Sequence, residues 1–283
     1  MSAIGPRSVV GAKQTVAGVA SDPLRAFSLD AMKNGRGTSK DVSMSDFNIG
    51  FVIFPGITQL DFTGPFEVLS RLGTPPSLSE PSKFAQSKVH VIAKALQPVS
   101  SDRGLMIMPT CTFETSPGLD LICVPGGLGV VEALADAETI DFIRRQGGQA
   151  QYVTSVCTGA FLLGAAGLLR GRRAATHWAY VDLLPLVSAR HEKGRIVRDG
   201  NVFTSGGVSA GIDFAFSIVA ELAGPEVAKA IQLAIEYDPS PPFDAGHPDK
   251  APEAAKALMI QRNQARTGVR KGLEKLDIIG SGH

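Results

Sequence analysis

Cysteine is scarce in this sequence, with only Cys111, Cys123 and Cys157 among 283 residues and no CxxC pair. That spacing offers neither a disulfide framework nor a zinc-ligand set, so no metal is expected and a reducing, cytoplasmic setting is the default. Net charge is equally slight, because 28 basic residues against 27 acidic ones leave +1. Such a balance gives no electrostatic reason to expect nucleic acid or an anionic membrane as partner, and a small neutral organic molecule fits better. No run of about 18 apolar residues is present, and the N-terminus lacks the apolar core of a secretory signal.

Periodicity is also missing from residues 1–45, which are rich in Gly, Ser, Ala and Lys and read as a disordered extension outside the fold. Residues 1–21 carry no acid and only Arg7 and Lys13 as charges, a composition like a transit peptide but poor in arginine. A chain start at Met44 is the alternative to a real tail.

From Phe47 the pattern is regular. Asn48–Phe54, Lys88–Ala95, Leu119–Val124, Gln151–Val156 and Arg173–Thr176 read as strands. Leu105–Pro109 and Thr110–Glu114 read as a hairpin or strand extension, and Asp199-Gly200 as the turn of a second hairpin. Gly73–Pro81 is a loop. Helices are expected over Pro65–Leu72, with proline at the first position, over Val130–Ala135, Ala137–Gln146, and from the Cys157 turn to Leu169. Further helices follow Trp178, cover Ser209–Ala223 and Pro225–Tyr237, and end the chain at Pro252–Leu276. Strands alternating with helices predict an α/β fold, a doubly wound and mostly parallel sheet over residues 46–238. Residues 239–283 then form an arm and helix that pack on the domain or on a second subunit.

Gln151 to Gly164 is the stretch with most chemical content. A buried β-branched strand turns within three residues into an Ala, Phe and Leu helix, and Cys157 stands at the turn. Such an elbow projects a thiol beyond the strand end, where helix N–H groups favour thiolate. Asp61, Gly126-Gly127 and His177 also follow strand ends, and the carboxyl ends of parallel strands share one edge of the sheet. A carboxylate beside a thiol can act as acid or base, and N–H groups of Gly127 and Thr158 could hold developing negative charge. Plainer roles exist for each: Asp61 as a helix brace, the glycines as a tight turn, His177 as a packing residue accepting a local hydrogen bond. Cys111 and Cys123 read as packing, Asp213 as a first-turn helix acid, and the turn Ser205–Ser209 as a source of N–H groups without a specific signal.

Four segments together resemble the DJ-1/PfpI superfamily, whose fold is flavodoxin-like and related to class I glutamine amidotransferases. They are Gln59–Pro65, Val124–Gly127, Ser155–Leu163 and Ala175–Trp178. Within it the chain is most similar to the isonitrile hydratase branch, a likeness that Ala234–Gly246 extends. The resemblance implies a hydro-lyase that adds water to an isonitrile, with Cys157 as nucleophile, Asp61 as acid and base, Thr158 in support, Gly126 and Gly127 orienting the adduct and His177 behind them. It implies no cofactor, and a homodimer. Peptidase-like branches place histidine directly after the cysteine, where this chain has Thr158, and deglycase or glyoxalase-like branches use glutamate where it has Asp61. AraC-type regulators carry the same domain beside a DNA-binding module of about a hundred residues, more than the segment after Tyr237 supplies. The remaining alternative is a non-catalytic or deglycase-like member that binds small molecules or serves in stress response.

Overall fold

The order of the strands decides where the site lies. The computed structural model describes residues 46–72, 87–263 and 265–280; the extension expected over 1–45 and the loop at Gly73–Pro81 fall outside these. Five β-rich segments lie side by side in parallel: β1 (Phe47–Val52), β2 (Ser87–Ala93), β5 (Cys111–Thr112), β6 (Leu121–Val124) and β7 (Tyr152–Val156). β11 (Val202–Ser205) joins β7 in parallel, and β10 (Ile196–Asp199) closes that edge antiparallel through the turn at Gly200. The sheet runs β10-β11-β7-β6-β1-β2-β5, so β7 and β6 are central and their carboxyl ends are adjacent. β6 and β7 are buried along their whole length, as continuous apolar runs in a parallel sheet covered on both faces must be.

Helices α1 (Gln59–Leu69), α2 (Val130–Ala135), α3 (Ala137–Gly147), α4 (Gly159–Ala165), α5 (Ala210–Ala223) and α6 (Pro225–Ala234) complete the winding. Burial of Phe51, Leu121, Ile122, Phe142, Phe161, Phe214 and Ile218 in one continuous cluster supplies the main driving force.

Three expectations need correction. Helix α1 begins at Gln59, so Pro65 is interior and Asp61 lies in the first turn. Proline there removes the hydrogen bond to the Asp61 carbonyl, and close packing compensates: a side chain added at Gly211 of α5 would stand 2.9 Å from Pro65 Cδ, and one at Gly64 3.0 Å from Ile212. Of the two readings of Leu105–Pro109 and Thr110–Glu114, the hairpin is not formed and the strand extension is. Instead β4 (Met106–Ile107) pairs back with β3 (Val99–Ser100), while β5 extends the main sheet. Arg173–Thr176 is not a sheet strand either, because β8 (Arg173–Ala174) pairs with β9 (Arg190–His191) in a separate ribbon. The segment after His177 is a 3₁₀ helix, Trp178–Val187.

The expected C-terminal helix is two helices, α7 (Glu253–Arg262) and α8 (Ala265–Gly280). Helix α8 packs on its own chain: Val269 and Leu273 are fully buried, and Gly268 and Gly272 let it approach Val131 and Leu134 of α2. Tyr180 donates a 2.6 Å hydrogen bond to Asn263, and Arg266 pairs with Asp182.

Candidate active site

Cys157 has φ of 57°, a left-handed conformation that costs a non-glycine residue about 1–2 kcal/mol. Three contacts hold the elbow there. Its N–H donates to Gly206 O at 2.9 Å, its carbonyl accepts from Thr176 Oγ1 at 2.8 Å, and the next residues are the first turn of α4. Gly159 is required for this approach, since a Cβ would stand 2.1 Å from Val124 O. The side chain of Cys157 is buried at 6% exposure.

Asp61 is fully buried. Helix α1 carries it inward because Phe62 packs edge-on against Phe51 of β1, with ring centroids 5.5 Å apart. Its Oδ2 accepts from Gly126 N–H at 2.9 Å, while Oδ1 has no hydrogen-bond partner among the described residues. Burial drives its pKa up to about 7; the Gly126 N–H opposes this, the Asp102 carboxylate adds to it, and the nearby Cys157 thiol lowers it slightly as a weak donor. Asp61 therefore changes charge near neutrality.

The thiol behaves otherwise than the elbow alone suggests. Burial first, and then the Asp61 charge, hold Cys157 well above its ordinary pKa, outweighing N–H groups of Thr158 and Val208 and the Thr158 hydroxyl that reach its sulfur. The Cys157 side chain is thus a neutral thiol. A seven-residue helix terminus contributes too little to offset a full desolvation and an adjacent carboxylate.

The N–H groups of the two glycines are both engaged. Gly127 N–H is already donated to Thr158 Oγ1 at 3.0 Å, and Gly126 N–H is committed to Asp61, so neither is a free oxyanion donor in the resting site. They position instead: a Cβ on Gly126 would lie 2.5 Å from Thr158 Oγ1 and 3.0 Å from Asp61 Oδ2. The N–H groups that do face the sulfur are those of Thr158 and Val208. His177 is half-buried, its Nδ1 accepts from Ala179 N–H at 3.3 Å, and its pKa is lowered by burial. It is a neutral residue capping the 3₁₀ helix, and its ring stands beside Gly207, next to the turn that aims Val208 at Cys157.

Sequence reasoning missed Thr58, Asp102 and Val208. Thr58 precedes α1 and donates from its hydroxyl to Asp102 Oδ2 at 2.7 Å, while its N–H bonds Gly126 O at 2.9 Å. The turn after β3 is thereby tied to the segment bearing Asp61. No local pattern announces that contact, which spans 44 positions. Val208 lies in a turn noted for its N–H groups; the missing fact was that β11 runs beside β7 and delivers this turn to the elbow. Cys123, buried in β6, has its pKa pushed up to about 12 by burial. Among the described residues no group of three or more His, Cys, Asp or Glu side chains could hold a metal ion, and no helix is long and apolar enough to cross a membrane.

Residues 48–221 match the family model described as the DJ-1/PfpI family. The chain belongs to that family. Among its relatives, the isonitrile hydratase of Pseudomonas putida is 55% identical over 206 residues, covering 73% of this chain and 85% of that protein. The regulator GbdR of Pseudomonas aeruginosa is 28% identical over 195 residues, which covers 68% of this chain but 51% of the regulator. A crystal structure of a ThiJ/PfpI family protein from Pseudomonas syringae superposes with a TM-score of 0.75 at 38% identity, covering 86% of this chain and 98% of that one.

Proposed function

We propose that this DJ-1/PfpI protein is an isonitrile hydratase, a hydro-lyase converting an isonitrile and water into an N-substituted formamide. The observation that carries the reading is a neutral thiol beside a buried carboxylate that ionises near pH 7, in a chain 55% identical to a hydratase. An isonitrile carbon accepts a nucleophile and a proton on the same atom, so the chemistry calls for S–H to be divided across one centre. A pre-formed thiolate would supply only half of it.

Ionised Asp61 takes the Cys157 thiol proton as sulfur bonds to the terminal carbon, then passes that proton to the same carbon. The product is a thioimidate, R–N=CH–S–Cys157. Asp61, ionised again, removes a proton from water as its oxygen attacks this carbon and passes that proton to the nitrogen, leaving R–NH–CH(OH)–S–Cys157, whose hydroxyl proton is the one that ends on sulfur. Collapse of the tetrahedral adduct breaks the C–S bond, releases R–NH–CHO and returns a proton to the sulfur. Thr158 and Val208 N–H groups stabilise the sulfur as it departs. Thr158, held by Gly127, keeps its hydroxyl on the reacting side, and Gly126 fixes the Asp61 carboxylate. No cofactor enters the scheme.

Formamide production from cyclohexyl isocyanide by purified protein tests the proposal, with Cys157→Ala as control. Turnover in the wild type and none in the folded variant is the expected result. Absence of turnover in the wild type would shift the assignment to a deglycase-like or binding role, assayed with methylglyoxal. The homodimer implied by the resemblance and the cytoplasmic setting expected from the scarcity of cysteine remain part of this proposal, and light scattering of the purified protein tests the first.

A further inference from the structure

A cavity of about 700 Å³ lies at the carboxyl ends of β1 and β2, and none of Asp61, Cys157 or Thr158 lines it. Its size is that of a small-molecule site, and doubly wound sheets bind ligands along this edge. Its walls are the segment after β1, the loop from β2 to β3, and residues of α2 and α3. Phe54, Val99 and Phe113 give it an apolar lining, and Leu128 lines it while 55% exposed, so apolar surface is left to bury.

The charges that line it are unbalanced. Lys94 is the cation, against the carboxylates of Asp102, Glu132 and Asp136. Both Asp136 and Glu138 already hold Lys94 at 2.9 Å. Neither Asp102 nor Glu132 has a cationic partner among the described residues. Asp102 spends Oδ2 on the Thr58 hydroxyl at 2.7 Å, and its Oδ1 is buried with no hydrogen-bond partner among the described residues. A buried acceptor left unpaired is relieved by an incoming donor. An anion would meet excess negative charge here, and a plain hydrocarbon would leave both carboxylates unpaired, whereas a protonated amine on an apolar body suits charge and lining together.

Asp102 also joins the cavity to the acid/base carboxylate. The Thr58 hydroxyl donates to Asp102, Thr58 N–H donates to Gly126 O at 2.9 Å, and Gly126 N–H donates to Asp61 Oδ2 at 2.9 Å. The titratable groups that interact with Asp61 are Asp102, the Cys157 thiol and, from β6, the Cys123 thiol; of these Asp102 alone lines the cavity.

We propose that this cavity is a regulatory site for a protonated organic amine, which sets its ammonium against Asp102 and Glu132 and its hydrocarbon body against Phe54, Val99 and Leu128. The bound cation offsets the Asp102 charge that raises Asp61, so the carboxylate ionises at lower pH and turnover persists in more acidic solution. Binding needs only the cavity, whereas the effect on turnover rests on the hydratase reading.

Calorimetric titration of benzylammonium into the wild type, Cys157→Ala, Glu132→Gln and Asp102→Asn tests the site, with benzyl alcohol as the uncharged control. Benzylammonium should bind the wild type and Cys157→Ala alike and each carboxamide variant about tenfold more weakly, and the alcohol should bind at least about tenfold more weakly than the amine. Glu132 is exposed, so its replacement leaves the fold intact even if Asp102→Asn does not. Formamide production then reads the coupling. Saturating benzylammonium should move the rising limb of kcat/KM in the wild type down by about half a pH unit, a gain of about threefold at pH 6. The same concentration should move it far less in Glu132→Gln. Benzylammonium that fails to bind the wild type, binds both carboxamide variants as tightly, or leaves the limb in place when bound overturns the proposal. A wild type without hydratase activity overturns the hydratase reading and the coupling, while the titration still decides the site.

Discussion

Asp61 is where function and stability pull in opposite directions. Its folded pKa of about 7 stands above the ordinary 3.8, so the native state binds a proton that the unfolded chain has already released at intermediate pH. Stability from this group is therefore full below about pH 4 and declines as pH rises through about 7. Ionised and buried, the carboxylate costs on the order of 4 kcal/mol. Asp61→Asn should accordingly raise the melting temperature at pH 8 and change it little at pH 4, while lowering kcat by about 10²–10⁴-fold; thermal scans and turnover at both pH values check this. The kcat/KM profile of the wild type should rise through about pH 7. Asp102→Asn removes a neighbouring negative charge that raises Asp61, and should move that limb to lower pH, since the other groups facing the carboxylate are the Cys157 thiol and the Gly126 N–H. An unmoved limb would rule out electrostatic tuning by Asp102.

The elbow and helix α1 differ in how openly their sequences declare them. Gln151–Val156 followed by Gly159-Ala160-Phe161 changes from strand to helix within a few residues, and the structure has that turn with Cys157 at positive φ. Asp61 was legible as a site candidate, but not as a first-turn helix residue, because Pro65 has the form of a helix start and only the fit of α1 against α5 makes it interior. The N–H groups of Gly126 and Gly127 were legible too; that they are already spent on Asp61 and Thr158 depends on side chains 65 and 31 positions away. Two substitutions probe these elements. Gly126→Ala forces a methyl into the Thr158 backbone and the Asp61 carboxylate, and should cost about 1–3 kcal/mol of stability and most of the turnover, measured by urea unfolding and formamide assay. Thr176→Val deletes the hydrogen bond to the Cys157 carbonyl and leaves that buried acceptor unpaired, a loss of about 1–3 kcal/mol by the same unfolding measurement.

At the scale of the whole molecule, alternating strands and helices were enough to predict a doubly wound parallel sheet, because buried β-branched runs such as Leu121–Val124 have few other uses. The place of Arg173–Thr176 was not predictable from alternation, since a two-residue strand is satisfied equally by the main sheet or by β9, and tertiary packing decides. The C-terminal segment left two partners open, its own domain or a second subunit; in the structure Gly268 and Gly272 of α8 meet Val131 and Leu134 of α2, and Val269 and Leu273 are buried. Leu273→Ala should therefore destabilise the folded chain by about 2–5 kcal/mol, read from denaturant midpoints. The order of assembly follows from the same contact. Every strand of the sheet is synthesised by Ser205, yet the face of α2 that α8 covers belongs to the helix directly following the Gly126-Gly127 loop. On the ribosome, a nascent chain can complete its sheet while that face is still bare, which makes the interval before α8 emerges the stage at which a chaperone has most to protect.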